Sequence, residues 1–289
     1  MDFVKEFSVQ KLLTTHVNDR LLHIPSPPEY VYVRGRVPPR DTKCLAVVGS
    51  RKYTNYAKQV TEYLIGGLRG YPICIISGLA IGVDTLAHTT ALENHLTSVA
   101  VPGSGLNDDV LYPTRNKSLA HAILNAGGAL ISEFEPTFTA TPWSFPQRNR
   151  LMAGMSDAVL LIEAGEKSGT LITARLAADY NREVLVVPGN IFSENSKGVH
   201  QFLKLGATPV TSPDDIISIL GLTPTDTTPL FEHSYTEEEF AVINLLTTPT
   251  DSNSLIQQLP YPPHESLTLL MKMSLRGTIR EDNGLFYKI

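Results

Sequence analysis

The sequence predicts an α/β fold in which a doubly wound, mostly parallel sheet is covered by helices on both faces. Short, continuous apolar runs alternate along the chain with amphipathic segments of helical length. Strands that are buried on both faces lack the polar alternation of exposed sheets, so these runs favour parallel strands. Of the 289 residues, 42% are hydrophobic and 18% are charged, which suits one large core and a small second domain.

The predicted elements of the main domain follow one another through residues 44–221. Residues 1–43 precede them as a lead-in, with a short helical segment and then a proline-rich stretch that favours extended backbone. The strands are predicted at residues 44–49, 73–77, 97–103, 129–132, 158–163, 183–189 and 208–210, and the helices at 54–69, 84–94, 114–126, 170–180, 198–205 and 213–220. In such a sheet, we expect a ligand at the carboxyl ends of the strands, where the connecting loops meet.

The C-terminal part of the chain is predicted to be separate from this domain. Residues 222–236 are rich in threonine and proline and indicate a linker. Residues 237–289 contain three helix-sized stretches and a hairpin with Asn283 and Gly284 at its turn, which predicts a small winged-helix domain. From residue 226 onward there are nine acidic and four basic residues, whereas residues 1–225 contain 20 of each.

The composition argues against several classes of protein. No apolar run approaches the ~20 residues of a membrane span, and the N-terminus lacks the features of a signal peptide, so we expect a cytoplasmic protein without a membrane partner. Cys44 and Cys74 lie in apolar strands and are expected to be buried thiols. Neither the GxGxxG nor the Walker motif occurs, and we expect no cofactor and no metal.

Two turns that follow predicted strands carry residues suited to binding phosphate. After the first strand, Gly49 lets the backbone approach a ligand, Ser50 offers a hydroxyl group, and Arg51 can bind phosphate through two hydrogen bonds. After the fifth strand, a lysine and three small residues lead into a helix. Basic residues that follow strands are expected to share one rim of the sheet: Arg51, Arg115, Arg148, Arg150, Lys167 and Lys197.

Residues 136–154 are predicted to form a loop that combines aromatic and basic side chains. It contains Trp143 and Phe145 beside two of the arginines of the rim. Single-stranded nucleic acid needs flat faces on which bases stack, worth about 1–3 kcal/mol each, and cations for its backbone. The alternative is that these aromatic side chains only pack the loop onto the core.

Asp84 and His88 lie four residues apart at the start of the second predicted helix. Such a pair could act in acid–base chemistry or bind a metal, but no third ligand at metal spacing and no nucleophile accompanies it. We therefore favour a role for Asp84 in starting the helix, where a carboxylate is stabilised by the helix dipole.

Several segments, in this order and spacing, resemble the DprA/Smf family over about residues 20–220: GSR (49–51), SGLAIGVD (77–84), VPGSGLNDDVLYPTRN (101–116), FPQRNRLMAGMSD (145–157), EAGEKSGTLITARLA (163–177) and VPGN (187–190). The resemblance implies an extended Rossmann-like fold that binds single-stranded DNA, forms a homodimer and is not an enzyme. It also implies a mediator that helps to load a RecA-type recombinase on incoming DNA in natural transformation. The implied DNA-binding residues, together with those expected from the loops, are Gly49, Ser50, Arg51, Arg115, Trp143, Phe145, Arg148, Asn149, Arg150, Lys167, Ser168, Gly169, Thr170 and Lys197.

The chain departs from the family pattern in its N-terminal helical domain, which is reduced to residues 1–25 at most, in residues 141–144, where relatives can have a lysine, and at His200. Two rival functions stay open: a phosphoribohydrolase-like enzyme, whose expected PGGxGTxxE run is here EKSGTLITA, and a small-nucleotide carrier or sensor. We expect the acidic C-terminal domain to contact protein rather than DNA.

Overall fold

The computed structural model describes residues 7–223, 236–246, 248–275, 278–282 and 284–288. Its contacts divide the chain into two compact units, Met1–Asp226 and Thr227–Ile289. Most of the predicted linker and Asn283 of the predicted turn lie outside the described residues. The domain boundaries expected from the sequence therefore stay a prediction.

A nine-stranded sheet forms the centre of the first unit, and its spatial order is β1-β2-β6-β5-β4-β3-β7-β8-β9. Neighbouring strands from β6 to β9 are parallel, whereas β1 and β2 are antiparallel, which confirms the mostly parallel α/β prediction. The strands are β1 (Val9–Leu13), β2 (Tyr30–Gly35), β3 (Lys43–Val48), β4 (Ile73–Ser77), β5 (Thr97–Ala100), β6 (Ala129–Ser132), β7 (Ala158–Leu161), β8 (Glu183–Val186) and β9 (Thr208–Pro209). The helices are α1 (Asn55–Gly66), α2 (Val83–Glu93), α3 (Lys117–Asn125), α4 (Ser144–Met155), α5 (Thr170–Asp179), α6 (Lys197–Lys204) and α7 (Pro213–Leu220).

The two faces of the sheet bury separate apolar clusters. Alternate residues of β3 point to opposite sides: Ala46 and Val48 join the cluster beneath α4, α5 and α6, while Leu45 and Val47 join the cluster beneath α1, α2 and α7. Both cysteines are buried free thiols in the first cluster, as predicted. Because α1 follows β3 and α5 follows its neighbour β7 on the other face, the winding of the sheet reverses between these two strands.

The short helical segment predicted in the lead-in is wrong for Val9–Leu13, which form β1, whereas β2 lies in the proline-rich stretch predicted to be extended. Val9 of β1 pairs with Arg34 of β2, so tertiary pairing overrides a weak local helix preference. The segment between them packs on α4 at Gly154, where a Cβ atom would lie 2.8 Å from a methyl group of Ile24. The lead-in is therefore part of the main fold.

The prediction of a loop throughout residues 136–154 is also wrong, because α4 (Ser144–Met155) occupies its second half. Pro146 made this segment resemble a loop, but it is the third residue of the helix, where a missing N–H costs nothing. Leu151, Met152 and Met155 then pack into the core. The helix therefore fixes the direction of Phe145 and the arginines that follow it.

The second unit contains α8 (Glu237–Leu245), β10 (Thr250–Asp251), α9 (Ser252–Gln258), α10 (Pro263–Leu275), β11 (Ile279–Asp282) and β12 (Leu285–Lys288). Its three strands form a sheet in the order β10-β12-β11, and its buried residues form a cluster of their own. This order of elements is the one that the winged-helix prediction requires, and the assignment stays a prediction. Within the ranges that the structure describes, no helix has both the length and the apolar character to cross a bilayer.

Candidate nucleic-acid interface

A cleft of about 760 Å³ opens at the carboxyl ends of β3 and β7, where the winding of the sheet reverses. Ligands of open α/β sheets bind at this place because loops from neighbouring strands diverge there. The cleft is bounded by the loop after β3, the first turns of α4 and the turn before α5. Ten of the fourteen predicted residues line it: Gly49, Ser50, Arg51, Phe145, Arg148, Asn149, Lys167, Ser168, Gly169 and Thr170.

The loop after β3 is held tightly against the start of α2. A Cβ atom on Gly49 would lie 2.6 Å from the side chain of Val83, and one on Gly82 would lie 2.3 Å from the carbonyl oxygen of Ser50. Gly82 has φ of +98°, a conformation that a residue with a Cβ atom rarely adopts. Because both contacts need glycine, the backbone of the loop is fixed while the side chains of Arg51 and Lys52 are exposed.

A carboxylate of the chain itself occupies the N-terminus of α1. Thr54 caps this helix, and buried Glu163 accepts hydrogen bonds from the Thr54 N–H at 3.0 Å and from its hydroxyl group at 2.5 Å. The Thr54 N–H is therefore not available to an external anion. A phosphate in the cleft would instead meet the exposed cations beside this helix.

Arg51 and Phe145 lie together, although they are 94 positions apart in the sequence. The Arg51 guanidinium carbon is 5.6 Å from the centroid of the Phe145 ring. The ring lies against Gly103, where a Cβ atom would be only 2.6 Å from it. On another side, the Tyr112 ring is 5.6 Å away between centroids and is 47% exposed. Sequence reasoning missed Tyr112, although it is an aromatic residue in the loop after the third predicted strand.

The turn before α5 is tied to the loop after β3. The Thr170 hydroxyl group donates to the carbonyl oxygen of Gly49 at 3.0 Å, and Ser168 donates to Thr170 at the same distance. Lys167 is exposed at the tip of this turn. No carboxylate among the described residues lies within ion-pair distance of Lys167 or of the two cations in the loop after β3. The cleft therefore presents three unpaired cations: Arg51, Lys52 and Lys167.

Arg148 lines the cleft but is not a free cation, contrary to the sequence prediction. Its side chain is buried and donates hydrogen bonds to the carbonyl oxygens of Gly78 and Val101, which follow β4 and β5. It also donates to the side chain of Asn149 at 3.2 Å. Burial lowers the pKa of Arg148 to about 10. This residue therefore joins two strand ends to α4 and supports the floor of the cleft.

Arg150 and Lys197 do not reach the cleft and are paired elsewhere. Arg150 forms an ion pair with Glu133, whose side chain is largely buried, and donates to the carbonyl oxygen of Ser26 at 2.8 Å. Lys197 forms an ion pair with Glu194 at 2.7 Å. The prediction that all six basic residues share one rim is therefore wrong for these two. Each of them pairs with an acidic residue, and a position after a strand in the sequence does not reveal such a partner.

Trp143 and Arg115 also lie outside the lining of the cleft. The Trp143 ring packs edge-on against Phe134 and Phe138, with centroids 5.7 and 5.6 Å away, and its side chain remains 54% exposed. The alternative interpretation, that the aromatic residues pack their loop onto the core, thus describes Phe138 and Trp143, whose rings both pack on buried Phe134. Arg115 is exposed in the single helical turn before α3.

Asp84 and His88 do not form an acid–base pair. Asp84 accepts hydrogen bonds from the backbone N–H groups of Gly78 and Ala80, and burial raises its pKa to about 6. The Nδ1 atom of His88 instead lies 2.8 Å from the Ser98 hydroxyl oxygen, and burial lowers the pKa of His88 to about 3. Among the described residues, no group of three or more His, Cys, Asp or Glu side chains could hold a metal ion.

The fold and the cleft together define a doubly wound α/β protein that presents unpaired cations and an aromatic ring at the switch point of its sheet. The sequence model of the family described as DNA recombination-mediator protein A matches residues 13–221. The chain therefore belongs to this family, which confirms the DprA/Smf resemblance seen in the sequence motifs.

Relatives support the same assignment. Protein Smf of Escherichia coli (strain K12) is 40% identical over 193 residues, which are 67% of this chain and 51% of that protein. DNA processing protein DprA of Streptococcus pneumoniae (strain ATCC BAA-255 / R6) is 40% identical over 174 residues, 60% of each chain. The chain thus spans about half the length of the Smf proteins of Escherichia coli and Synechocystis sp. that it matches.

Two solved structures share the fold over most of the first unit. The X-ray structure of DprA from Streptococcus pneumoniae aligns with a TM-score of 0.67 at 34% identity, covering 74% of this chain and 75% of that chain. DprA from Helicobacter pylori, whose structure is described for its single-stranded DNA binding mode, aligns with a TM-score of 0.65 at 30% identity. That alignment covers 74% of this chain and 96% of the other.

Proposed function

We propose that this chain binds single-stranded DNA in the cleft at the switch point, with little preference for sequence, and has no enzymatic activity. The observation that carries the proposal is the placement of Arg51 over Phe145. There a cation for the phosphate backbone lies in contact with a half-buried ring for a base, beside the fixed backbone of the loop after β3. Duplex DNA keeps its bases stacked inside the helix, so the ring favours an unpaired strand.

The hydrogen bonds between the two phosphate-binding turns support a continuous path for the strand. Arg51 and Lys52 lie on one wall of the cleft and Lys167 on the other, with the Thr170–Gly49 hydrogen bond between them. Phosphates would bind to these cations and release counterions, so the affinity should fall as salt concentration rises. Phe145 and Tyr112 would offer their rings to neighbouring bases.

The proposal extends to the biological role implied by the relatives. We place the chain as a recombination mediator that dimerises and helps to load a RecA-type recombinase on incoming single strands in natural transformation. The DprA assignment of its relatives and the single-stranded DNA binding described for the Helicobacter pylori protein support this role. The acidic second unit would contact protein rather than DNA, because like charges repel the phosphate backbone.

The contacts of Asp84 and His88 count against the rival enzymatic function. A general base must reach the proton that it removes, whereas His88 is buried and bonded to Ser98, and Asp84 is held by two backbone N–H groups. The turn EKSGT also lacks the double glycine and the glutamate expected of a phosphoribohydrolase.

Fluorescence anisotropy with labelled oligo-dT of 20 nucleotides and with duplex DNA, each at two salt concentrations, tests the proposal. We expect the wild type to prefer the single strand and Arg51→Ala to lose about tenfold or more in affinity, with a salt slope lower by about one. Phe145→Leu, which keeps the packing on Gly103, should lose about fivefold or more, because stacking contributes about 1–3 kcal/mol.

Arg69→Ala is the matched control for charge, because Arg69 is exposed just beyond the far end of α1. Its affinity should stay within about twofold of the wild type. Equal binding by the wild type and by both cleft variants would remove Arg51 and Phe145 from the site. Equal affinity for single-stranded and duplex DNA would contradict the proposed function itself.

A further inference from the structure

The loop that joins β8 to α6 presents two large apolar side chains to solvent. Ile191 is 71% exposed and Phe192 is 87% exposed, the largest exposed fraction among the large apolar side chains of the described residues. Solvating a phenylalanine ring is unfavourable by roughly 2 kcal/mol relative to its burial. An exposed ring on a loop at the ligand-binding edge of the sheet therefore indicates a surface whose burial by a ligand or partner is favourable.

This loop is held in place rather than loosely displayed. The backbone N–H of Phe192 donates to the side chain of Asn190 at 2.9 Å, and the Tyr56 hydroxyl group donates to the carbonyl oxygen of Pro188 at 2.7 Å. At its other end, the Asn195 side chain donates to the carbonyl oxygen of Lys52 at 3.2 Å. Because Asn195 and Lys52 both line the main cleft, the loop is continuous with the wall of that cleft.

A second cavity of about 360 Å³ lies between this loop and the start of α1, a volume within the range of small-ligand pockets. Most of its exposed surface is apolar, and its lining contains the buried carboxylate of Glu163 but no lysine or arginine: Thr54, Tyr56, Glu163, Pro188, Gly189, Asn190, Ser193 and Ser196. A carboxylate without a cation repels phosphate, so this cavity suits the uncharged parts of a nucleotide, its base and deoxyribose. The phosphates would stay on the cations of the main cleft.

We propose that Phe192 and this second cavity form an additional nucleotide subsite, in which the base of an unpaired strand leaving the main cleft stacks on the Phe192 ring. The proposal rests on the proposed single-stranded DNA binding and extends the path of the strand past Asn195. The cations of the cleft hold the backbone of the strand, and the loop takes one further base. Oligonucleotides that are too short to reach the loop do not use this subsite.

The test measures the affinity of the full chain for oligo-dT of 4 to 20 nucleotides by anisotropy, with Phe192→Ala and Tyr63→Ala. Tyr63 is 57% exposed on α1 and lines neither cavity, so it controls for the loss of an exposed ring. We expect Phe192→Ala to match the wild type on the shortest strands that bind. On strands beyond a threshold length it should lose about five- to hundredfold, the equivalent of one stacked base. Tyr63→Ala should match the wild type at every length.

A spectroscopic measurement reports on the contact itself. In a Trp143→Phe background, the added substitution Phe192→Trp leaves a single indole, because Trp143 is the only tryptophan of the chain. Long oligo-dT should quench the emission of this indole, whereas short oligo-dT should leave it unchanged. The affinity of this variant should depend on strand length as that of the wild type does.

The outcomes separate the two proposals. One outcome is that Arg51→Ala weakens binding whereas Phe192→Ala has the affinity of the wild type at every length. This outcome overturns the subsite and leaves the proposal for the main cleft intact. Failure of the wild type to bind oligo-dT at any length overturns the proposed function and this inference with it. A loss of dimer mass in light scattering by Phe192→Ala, with unchanged affinity per chain, would assign the ring to a second copy of the protein instead.

Discussion

Arg51 and Arg148 line the same cleft, yet their surroundings give them opposite roles. Arg51 is exposed, lies over an aromatic ring and is available to a phosphate. Arg148 is 5% exposed, and its guanidinium group is already used by two carbonyl oxygens. A guanidinium group that binds backbone carbonyl groups in the interior stabilises the site by holding strand ends together. Both residues contribute to the cleft, but only Arg51 can bind a ligand without losing hydrogen bonds that hold the strand ends together.

We expect Asp84 to make the proposed strand binding dependent on pH. With a pKa of about 6, this carboxyl group is ionised at pH 7.5 and adds a negative charge to the lining of the cleft. We expect the affinity for oligo-dT at constant salt to rise by about fivefold between pH 7.5 and 5.5, since protonation removes about 1 kcal/mol of repulsion from a phosphate. Asp84→Asn should bind at pH 7.5 as tightly as the wild type does at pH 5.5, and with a flat profile.

Asp179→Asn is the control, because Asp179 is an exposed carboxylate at the end of α5 and lies outside the cleft. It should keep the wild-type pH profile. A profile for Asp84→Asn that still rises as steeply as that of the wild type would show that another group titrates.

The pH profile should be measured as affinity rather than as stability, because two buried groups shift stability in opposite directions. The folded-state pKa of Asp84, about 6, lies above the ordinary value of 3.8 for an aspartate, so the folded protein takes up this proton first and gains stability as pH falls through 6. The folded-state pKa of His88, about 3, lies below 6.5. The unfolded chain therefore takes up this proton first, and the folded state loses stability as pH falls below 6.5.

At the scale of elements, the start of α2 positions the loop that carries Arg51. The N–H of Val83 donates to the carbonyl oxygen of Ser50 at 3.1 Å, and Gly82 allows this approach. We expect Gly82→Ala to destabilise the fold by about 1–3 kcal/mol, because its positive φ and the contact with Ser50 are both unfavourable with a Cβ atom. We also expect it to weaken binding of oligo-dT by about tenfold, since the loop must move. Chemical denaturation and anisotropy measure the two effects.

Gly127→Ala is the matched control for this substitution. Gly127 also has positive φ, +84°, but a Cβ atom there would have no heavy atom within 4 Å. It should show the cost in stability of the backbone conformation alone, with unchanged affinity. If both variants bound DNA equally well, displacement of the loop after β3 would not matter to the cleft.

At the scale of the whole molecule, the excess of negative charge lies in a different part of the sequence from the residues of the cleft. The formal net charge is −5, and the excess of acidic residues lies from residue 226 onward, while residues 1–225 are neutral overall. All residues that line the cleft precede residue 226, so the net charge of the whole chain does not describe the charge that a ligand meets in the cleft. The two units also bury separate clusters of apolar residues.

We expect a chain that ends after Thr223 to bind oligo-dT within about twofold of the full chain at 0.15 M salt, because it keeps every residue that lines the cleft and salt screens repulsion by the acidic unit. Its affinity should exceed that of the full chain slightly at low salt, where this repulsion is stronger. Anisotropy on both chains measures the difference. A loss of tenfold or more on truncation would show that the second unit contributes to strand binding.

The sequence predicts a feature of this protein best when the residues that interact lie close together along the chain. Alternating apolar runs and helical periods predicted the parallel sheet, since both report on contacts that recur every few residues. The motifs at strand ends predicted ten of the residues that line the cleft, because parallel strands bring their carboxyl ends to one edge. Only the tertiary structure decided that β1 joins the sheet, that Glu163 accepts hydrogen bonds from Thr54 at the start of α1 and that Arg150 pairs with Glu133. Each of these contacts joins distant parts of the chain, and a single sequence carries no local signal for which polar partner a buried charge will meet.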